Sequence, residues 1–162
     1  MNIWIMRHGE AGFNAQTDSE RSLTDFGKAV AFQQGEWLVN RFIDQKIRLD
    51  KILISPYLRA QQTADCLLKG MQAVSSEQNF ANICETWSEI TPTGDLDNVL
   101  NYLHFLRDEG AENVLIVSHL PLVFDLVYEL TNYREQVHFY PAVIAEMAWE
   151  TKYAELKDVS MP

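Results

Sequence analysis

Ile3-Trp4-Ile5-Met6-Arg7-His8-Gly9-Glu10 is the stretch that decides the fold. Its leading apolar residues read as a short buried strand. The run ends abruptly at a cation, an imidazole and a glycine, whose backbone is permissive. A cation beside a nucleophilic nitrogen suits phosphoryl chemistry. The cation holds the anion, and the imidazole can accept the phosphoryl group.

The same arrangement recurs twice. Ile52-Leu53-Ile54 leads into Ser55-Pro56-Tyr57-Leu58-Arg59, and Val114-Leu115-Ile116-Val117 leads into Ser118-His119-Leu120-Pro121. Each strand-like run delivers an Arg or His just past its C-terminal end. In open α/β sheets, ligands bind in the crevice outside the carboxyl ends of the strands. Parallel strands lying side by side would therefore bring Arg7, His8, Arg59 and His119 to one spot. Pro56 and Pro121 suit first-turn positions, so both later clusters open helices. A helix N-terminus adds unpaired N–H groups and partial positive charge, which favour phosphate.

Outward from these runs, strand and helix alternate. A helix capped by Thr24 or Asp25 runs to about Phe42. Lys51 to Ile54 is a strand, followed by a helix from about Tyr57 to Lys69 with Gly70 as its terminator. The polar stretch from Met71 to Asn82 carries no clear pattern, and residues 82–84 suggest a short strand. Leu96, Val99, Leu100, Leu103 and Leu106 repeat at helical spacing until Gly110. Val114 to Val117 is the next strand, and a helix follows from Pro121 to about Leu130. Residues 142–149 and 153–156 read as two strands around a turn near Thr151, an antiparallel pair at a sheet edge. The alternation argues an α/β fold with a largely parallel sheet.

At 162 residues, the chain is expected to form one domain, residues 1–162, with a real core. Apolar residues at 47% and charged ones at 22% fit a soluble globular protein, and no apolar run approaches a membrane span. The N-terminus lacks a basic region followed by a long apolar stretch, which argues against a secretory signal. Cys66 and Cys84 are too few for a disulfide framework and read as small core hydrophobes in a reduced, cytoplasmic setting. A net charge of −10 disfavours nucleic acid and anionic membranes as partners. Arg7, Arg21, Arg59, His8 and His119 would then form a positive pocket in a negative protein.

Five strings carry a resemblance: Ile5-Met6-Arg7-His8-Gly9-Glu10-Ala11; Leu23-Thr24 with Gly27; Ser55-Pro56-Tyr57-Leu58-Arg59-Ala60-Gln61-Gln62-Thr63; Glu89-Ile90-Thr91-Pro92-Thr93-Gly94-Asp95; and Ser118-His119-Leu120-Pro121-Leu122-Val123. In type and order they resemble the motifs of the histidine phosphatase superfamily, and within it the small SixA-type phosphohistidine phosphatases. The resemblance implies a three-layer α/β/α fold like that of phosphoglycerate mutase, with a mostly parallel central sheet. It also implies a protein phosphohistidine as substrate, displayed on a histidine phosphotransfer domain of a sensor kinase in two-component signalling.

On this reading His8 is the nucleophile, and the resemblance gives its other ring nitrogen the Gly9 carbonyl as partner. Arg7 and Arg59 clamp the phosphoryl oxygens, since guanidinium offers paired donors in a rigid plane. His119 donates to the same oxygens as charge builds. Some branches of the superfamily place an acid directly after the second histidine; that position is Leu120 here. Glu89 falls where the mutase-like branch keeps its catalytic Glu and is the expected general acid, with Asp18 and Asp95 behind it. Arg21, Asn14 and Gly9 are the expected substrate-binding residues. A metal site from His8, Glu10 and His119 lacks a ligand motif and faces two repelling arginines, so no metal or cofactor is expected. Short connections between the motifs imply an open pocket that admits a protein-borne phosphohistidine. The competing readings are a small-molecule phosphomonoesterase or mutase of the same superfamily, and a non-catalytic phosphohistidine-binding module.

Overall fold

The structure, a computed structural model, describes residues 1–162. Six strands build its frame: β1 (Asn2–Arg7), β2 (Lys51–Ile54), β3 (Cys84–Thr86), β4 (Asn113–Ser118), β5 (Ile144–Ala148) and β6 (Glu155–Ser160). Four longer helices connect them: α1 (Asp25–Gln45), α2 (Leu58–Val74), α3 (Leu96–Asp108) and α4 (Leu122–Leu130). The sheet order is β3-β2-β4-β1-β5-β6. β3, β2, β4 and β1 run parallel, β5 is antiparallel to β1, and β6 pairs antiparallel with β5 at the edge.

Alternate side chains of the central strands feed two separate cores, as the period-two geometry of a strand requires. Ile3, Ile5, Leu53, Val114 and Ile116 pack with Val99, Leu103 and Leu106 of α3 and with Leu122, Val123, Leu126 and Val127 of α4. Trp4, Met6, Ile52, Ile54, Leu115 and Val117 pack with Leu38, Val39 and Phe42 of α1 and with Ala60, Ala64, Leu67 and Met71 of α2. The result is three layers, with helices on both faces. One polar group is built into the second core: Glu146 accepts from Trp4 Nε1 at 2.8 Å and from Arg41 at 2.9 and 2.7 Å.

Four local expectations change. Gly70 does not stop α2, which continues to Val74. A Cβ at Gly70 would strike the Phe32 carbonyl, and one at Gly35 the Leu67 carbonyl, so this glycine pair lets α1 and α2 cross backbone to backbone. The short strand lies at Cys84–Thr86, two residues later than its pattern suggests, after a 3-10 turn at Phe80–Ile83. Helix α2 begins two residues after Pro56, and α4 begins just after Pro121, so each proline precedes the first turn rather than occupying it. Cys66 and Cys84 are free and half-buried rather than fully buried; Cys84 packs against the second core, and its thiol points at the Phe80 carbonyl (3.4 Å). No helix is long and apolar enough to cross a membrane.

Candidate active site

β2, β4 and β1 are adjacent and parallel, so their carboxyl ends open on one crevice. The chain leaves β1 at His8, whose backbone N–H donates to the Ser118 carbonyl (2.9 Å) and whose carbonyl accepts from Ala142 (3.1 Å). These bonds fix the end of β1 between its two neighbours. The first turn of α2 is tied to the same point. Thr63 Oγ1 accepts from the Gly9 N–H (2.9 Å) and donates to the Arg59 carbonyl (2.7 Å).

Around this junction the rings of His8 and His119 stand with centroids 5.1 Å apart. His8 is 7% exposed, Arg59 4% and His119 1%. His8 Nδ1 lies 2.7 Å from the Gly9 carbonyl, which only an N–H can serve, so Nδ1 carries the proton. The lone pair of Nε2 then accepts from Arg59 Nε (3.3 Å). Burial pushes the His8 pKa down to about 4, and Arg59, Arg7 and Arg21 push the same way against the Gly9 bond. The ring is therefore neutral at pH 7, with its free electron pair at Nε2.

His119 has the complementary tautomer problem. Its Nε2 lies 2.7 Å from Ser55 Oγ, which also accepts from the Tyr57 N–H (3.3 Å). The Ser55 hydroxyl can thus donate to Nε2, which leaves the proton of His119 on Nδ1. Burial, then the neighbouring His8, lower the His119 pKa to about 3. Tyr57 packs edge-on against the His119 ring and lies under the Arg59 guanidinium, 5.0 Å from its carbon. Arg7 is anchored by Nη1 on the Phe139 carbonyl (2.8 Å), and its own pKa is lowered by burial and by the neighbouring Arg59 and Arg21. The two buried side-chain polar atoms in the molecule without a hydrogen-bond partner are Arg7 Nε and His119 Nδ1. Both belong to this cluster, and both are donors.

The other expected residues separate. The loop between Ala11 and Leu23, closed by a bridge between those two residues, carries Asn14, Asp18 and Arg21. Asp18 accepts from Arg59 Nη2 (3.1 Å) and Arg21 Nη1 (3.2 Å), and its carbonyl accepts from Arg59 Nη1 (2.6 Å). Hydrogen bonds from Arg59 and Arg21 hold its carboxyl below the usual carboxylate range despite some desolvation, which unsuits it as a proton donor. Asn14 is exposed and its side chain makes no hydrogen bond. Both main-chain groups of Gly9 are spent within the protein, on Thr63 and His8, so the expected substrate contact becomes a support for His8. Glu89 sits in a 3-10 turn, Ser88–Ile90, which Ser118 Oγ pins by donating to the Ile90 carbonyl (2.7 Å). A Cβ at Gly94 would collide with the Glu89 carbonyl, so that glycine closes the strap beside His119's strand. The Glu89 side chain has no hydrogen-bond partner, and Asp95 instead caps α3 through the Asp97 N–H (2.9 Å).

Sequence reasoning passed over Ser55, Thr63 and Tyr57 as individual actors. They stand in the quoted Ser55–Thr63 string, and Thr63 lies one helical turn after Arg59, which was the available signal.

The model of the histidine phosphatase superfamily (branch 1) matches residues 3–91. The chain belongs to the histidine phosphatase superfamily. It is 46% identical to the phosphohistidine phosphatase SixA homolog of Haemophilus influenzae, over 96% of this chain and 93% of that one. It is 40% identical to phosphohistidine phosphatase SixA of Escherichia coli, over 80% of this chain and 74% of that one. Among solved structures it superposes on the protein histidine phosphatase SixA complexed with tungstate with a TM-score of 0.82, at 33% identity, over 98% of this chain and 96% of that one. That SixA structure shares its fold.

Proposed function

We propose that the chain is a hydrolase of protein phosphohistidine that takes phosphate from a histidine phosphotransfer domain and passes it through His8 to water. The observation that carries the reading is the state of His8: buried, neutral, its Nδ1–H spent on Gly9, its Nε2 lone pair facing the Arg59 guanidinium. In the first step Nε2 attacks phosphorus as the donor P–N bond breaks, and the departing imidazole takes a proton. In the second, water attacks the phosphorus, gives up a proton, and His8 leaves as the neutral ring. Arg7 and Arg59 balance the phosphoryl oxygens, and His119 Nδ1–H donates to them as charge builds.

Glu89 is the proposed acid of the first step and base of the second, supported by its place on the strap pinned beside His119. Arg21 and Asn14 are the proposed substrate contacts on the overlying loop. Arg21 has the firmer support, since its charge already acts on His8 and Arg7. The whole chain acts as one domain, and free cysteines with an acidic surface fit a cytoplasmic setting.

Two features favour a protein as donor. Two relatives, at 46% and 40% identity, carry phosphohistidine phosphatase in their names. The site has a rim of exposed apolar groups beside Arg7: Leu120 and Tyr140 line a groove of about 310 Å³ together with it. A histidine side chain is short and His8 is nearly buried, so the donor's own backbone must come down on this rim. Turnover should be compared on a phosphorylated phosphotransfer domain and on sugar phosphates. Strong preference for the phosphoprotein, with inhibition by tungstate or vanadate, is expected. A preference for the sugar phosphate would overturn the reading in favour of a small-molecule phosphomonoesterase.

A further inference from the structure

A guanidinium presents two edges, each with a pair of parallel N–H donors: Nη1 with Nη2 at its end, and Nε with Nη2 along its side. In Arg59 the end edge is fully engaged by one residue. Nη1 donates to the Asp18 main-chain carbonyl (2.6 Å) and Nη2 to the Asp18 carboxylate Oδ2 (3.1 Å). The side edge points the other way, with Nε directed at His8 Nε2 (3.3 Å). The second proton of Nη2 lies on that same side edge. The phosphoryl oxygens on His8 Nε2 would therefore meet a fork already turned towards them.

The other oxygen of the same carboxylate, Oδ1, holds Arg21 Nη1 at 3.2 Å. Arg21 is fixed further by Nε on the Gly12 carbonyl (2.8 Å) and by the Phe13 ring, 4.1 Å from its guanidinium carbon. Arg7, Arg21 and Arg59 repel one another across the site, and one carboxylate bridging two of them offsets that repulsion.

We propose that Asp18 is the positioning residue of the phosphoryl clamp, holding the end of Arg59 so that its Nε/Nη2 edge faces the phosphoryl group on His8, and holding Arg21 beside it. Asp18 neither touches phosphorus nor moves a proton. The assignment rests on the proposed reaction at His8.

The test compares the wild-type chain with Asp18→Ala and Asp18→Asn. Tungstate affinity is read by calorimetry, and turnover on a phosphorylated phosphotransfer domain and on p-nitrophenyl phosphate. Asp18→Ala should weaken tungstate about 10-fold or more and lower kcat by a similar factor, as loss of a charged hydrogen bond predicts. Asp18→Asn keeps an oxygen for Nη2 and should recover much of the tungstate affinity. The fall in kcat should be equal on both substrates, because a positioning group acts on the phosphoryl oxygens rather than on the leaving group; a fall confined to phosphohistidine would mark a proton donor and overturn the assignment. Tungstate bound equally tightly by Asp18→Ala would show the carboxylate to be idle. Tighter binding would show that it competes with the oxyanion for Arg59. Either result ends the proposal. A wild type that binds tungstate but spares phosphohistidine would sink the proposed reaction instead, and the tungstate series would still decide the clamp.

Discussion

The two ends of the central strands hold their polar groups in opposite ways. At the amino end, Asn2 Nδ2 donates to Asn113 Oδ1 (2.9 Å), Asn113 Nδ2 donates to the Arg48 carbonyl (3.0 Å), and Asp50 Oδ2 accepts from the Glu112 and Asn113 N–H groups (2.8 and 2.9 Å). The side chains of Asn2, Asn113 and Asp50 there are spent on closing the fold. At the carboxyl end, His8, His119, Ser55, Arg59 and Thr63 are equally well anchored, yet Arg7 Nε and His119 Nδ1 remain without partners. A buried donor without a partner costs about 1–3 kcal/mol, a cost that a fold bears where chemistry needs the donor. One end of the sheet stabilises the fold, and the other is held ready.

The sharpest way to break that contrast is at the nucleophile. His8→Ala should lower turnover of phosphohistidine roughly 10⁴-fold or more while leaving the melting temperature near that of the wild type. Steady-state kinetics beside thermal denaturation checks both halves, and residual turnover within tenfold of wild type would move the chemistry elsewhere. His119→Ala removes one donor to the phosphoryl oxygens and should cost on the order of 10²–10³ in kcat. It also removes an unsatisfied buried N–H, so stability should fall by less than a core truncation would cost.

The amino end should give the reverse result. Asp50→Ala removes the acceptor of two backbone N–H groups, one exposed and one part-buried, and should destabilise the fold by about 1 kcal/mol, read by urea denaturation, with kcat/KM unchanged under native conditions. An activity loss without a stability loss there would erase the distinction between the two ends.

The carboxyl end also shows itself in titration. The rings of His8 and His119 are held neutral down to about pH 4 and 3, against an ordinary value of 6.5. NMR titration should show no protonation of either ring near pH 6.5. The unfolded chain takes up those protons first, so stability should decline as pH falls from about 6.5 towards 4 and should not change above 6.5 on their account. A ring titrating near 6.5 in the folded protein would mean it is solvated and charged.

Which parts of this were legible follows from the range of the interactions. β1, β2 and β4 are readable because each apolar run abuts its functional group, so the convergence of Arg7, His8, Arg59 and His119 is legible in the sequence. Gly70 misled because its reason is tertiary: a glycine needed for the crossing of α1 over α2 looks, locally, like a helix stop. β3 was displaced because Cys84-Glu85-Thr86 is a half-exposed edge strand with no apolar alternation. The link between Asp18 and Arg59 joins residues 41 apart in sequence through a loop that folds back, and no periodicity announces such a contact. Gly9 was readable as part of the motif, but not that both its main-chain groups are consumed by Thr63 and His8.

One measurement bears most directly on the carboxyl-end cluster: phosphorus NMR with peptide mapping of the chain quenched during turnover of a phosphohistidine protein. A single phosphoryl group on His8, bonded to Nε2, is the predicted result, because Nδ1 is committed to the Gly9 carbonyl. Phosphate on another residue, or on Nδ1 of His8, would contradict the geometry on which the whole reading stands.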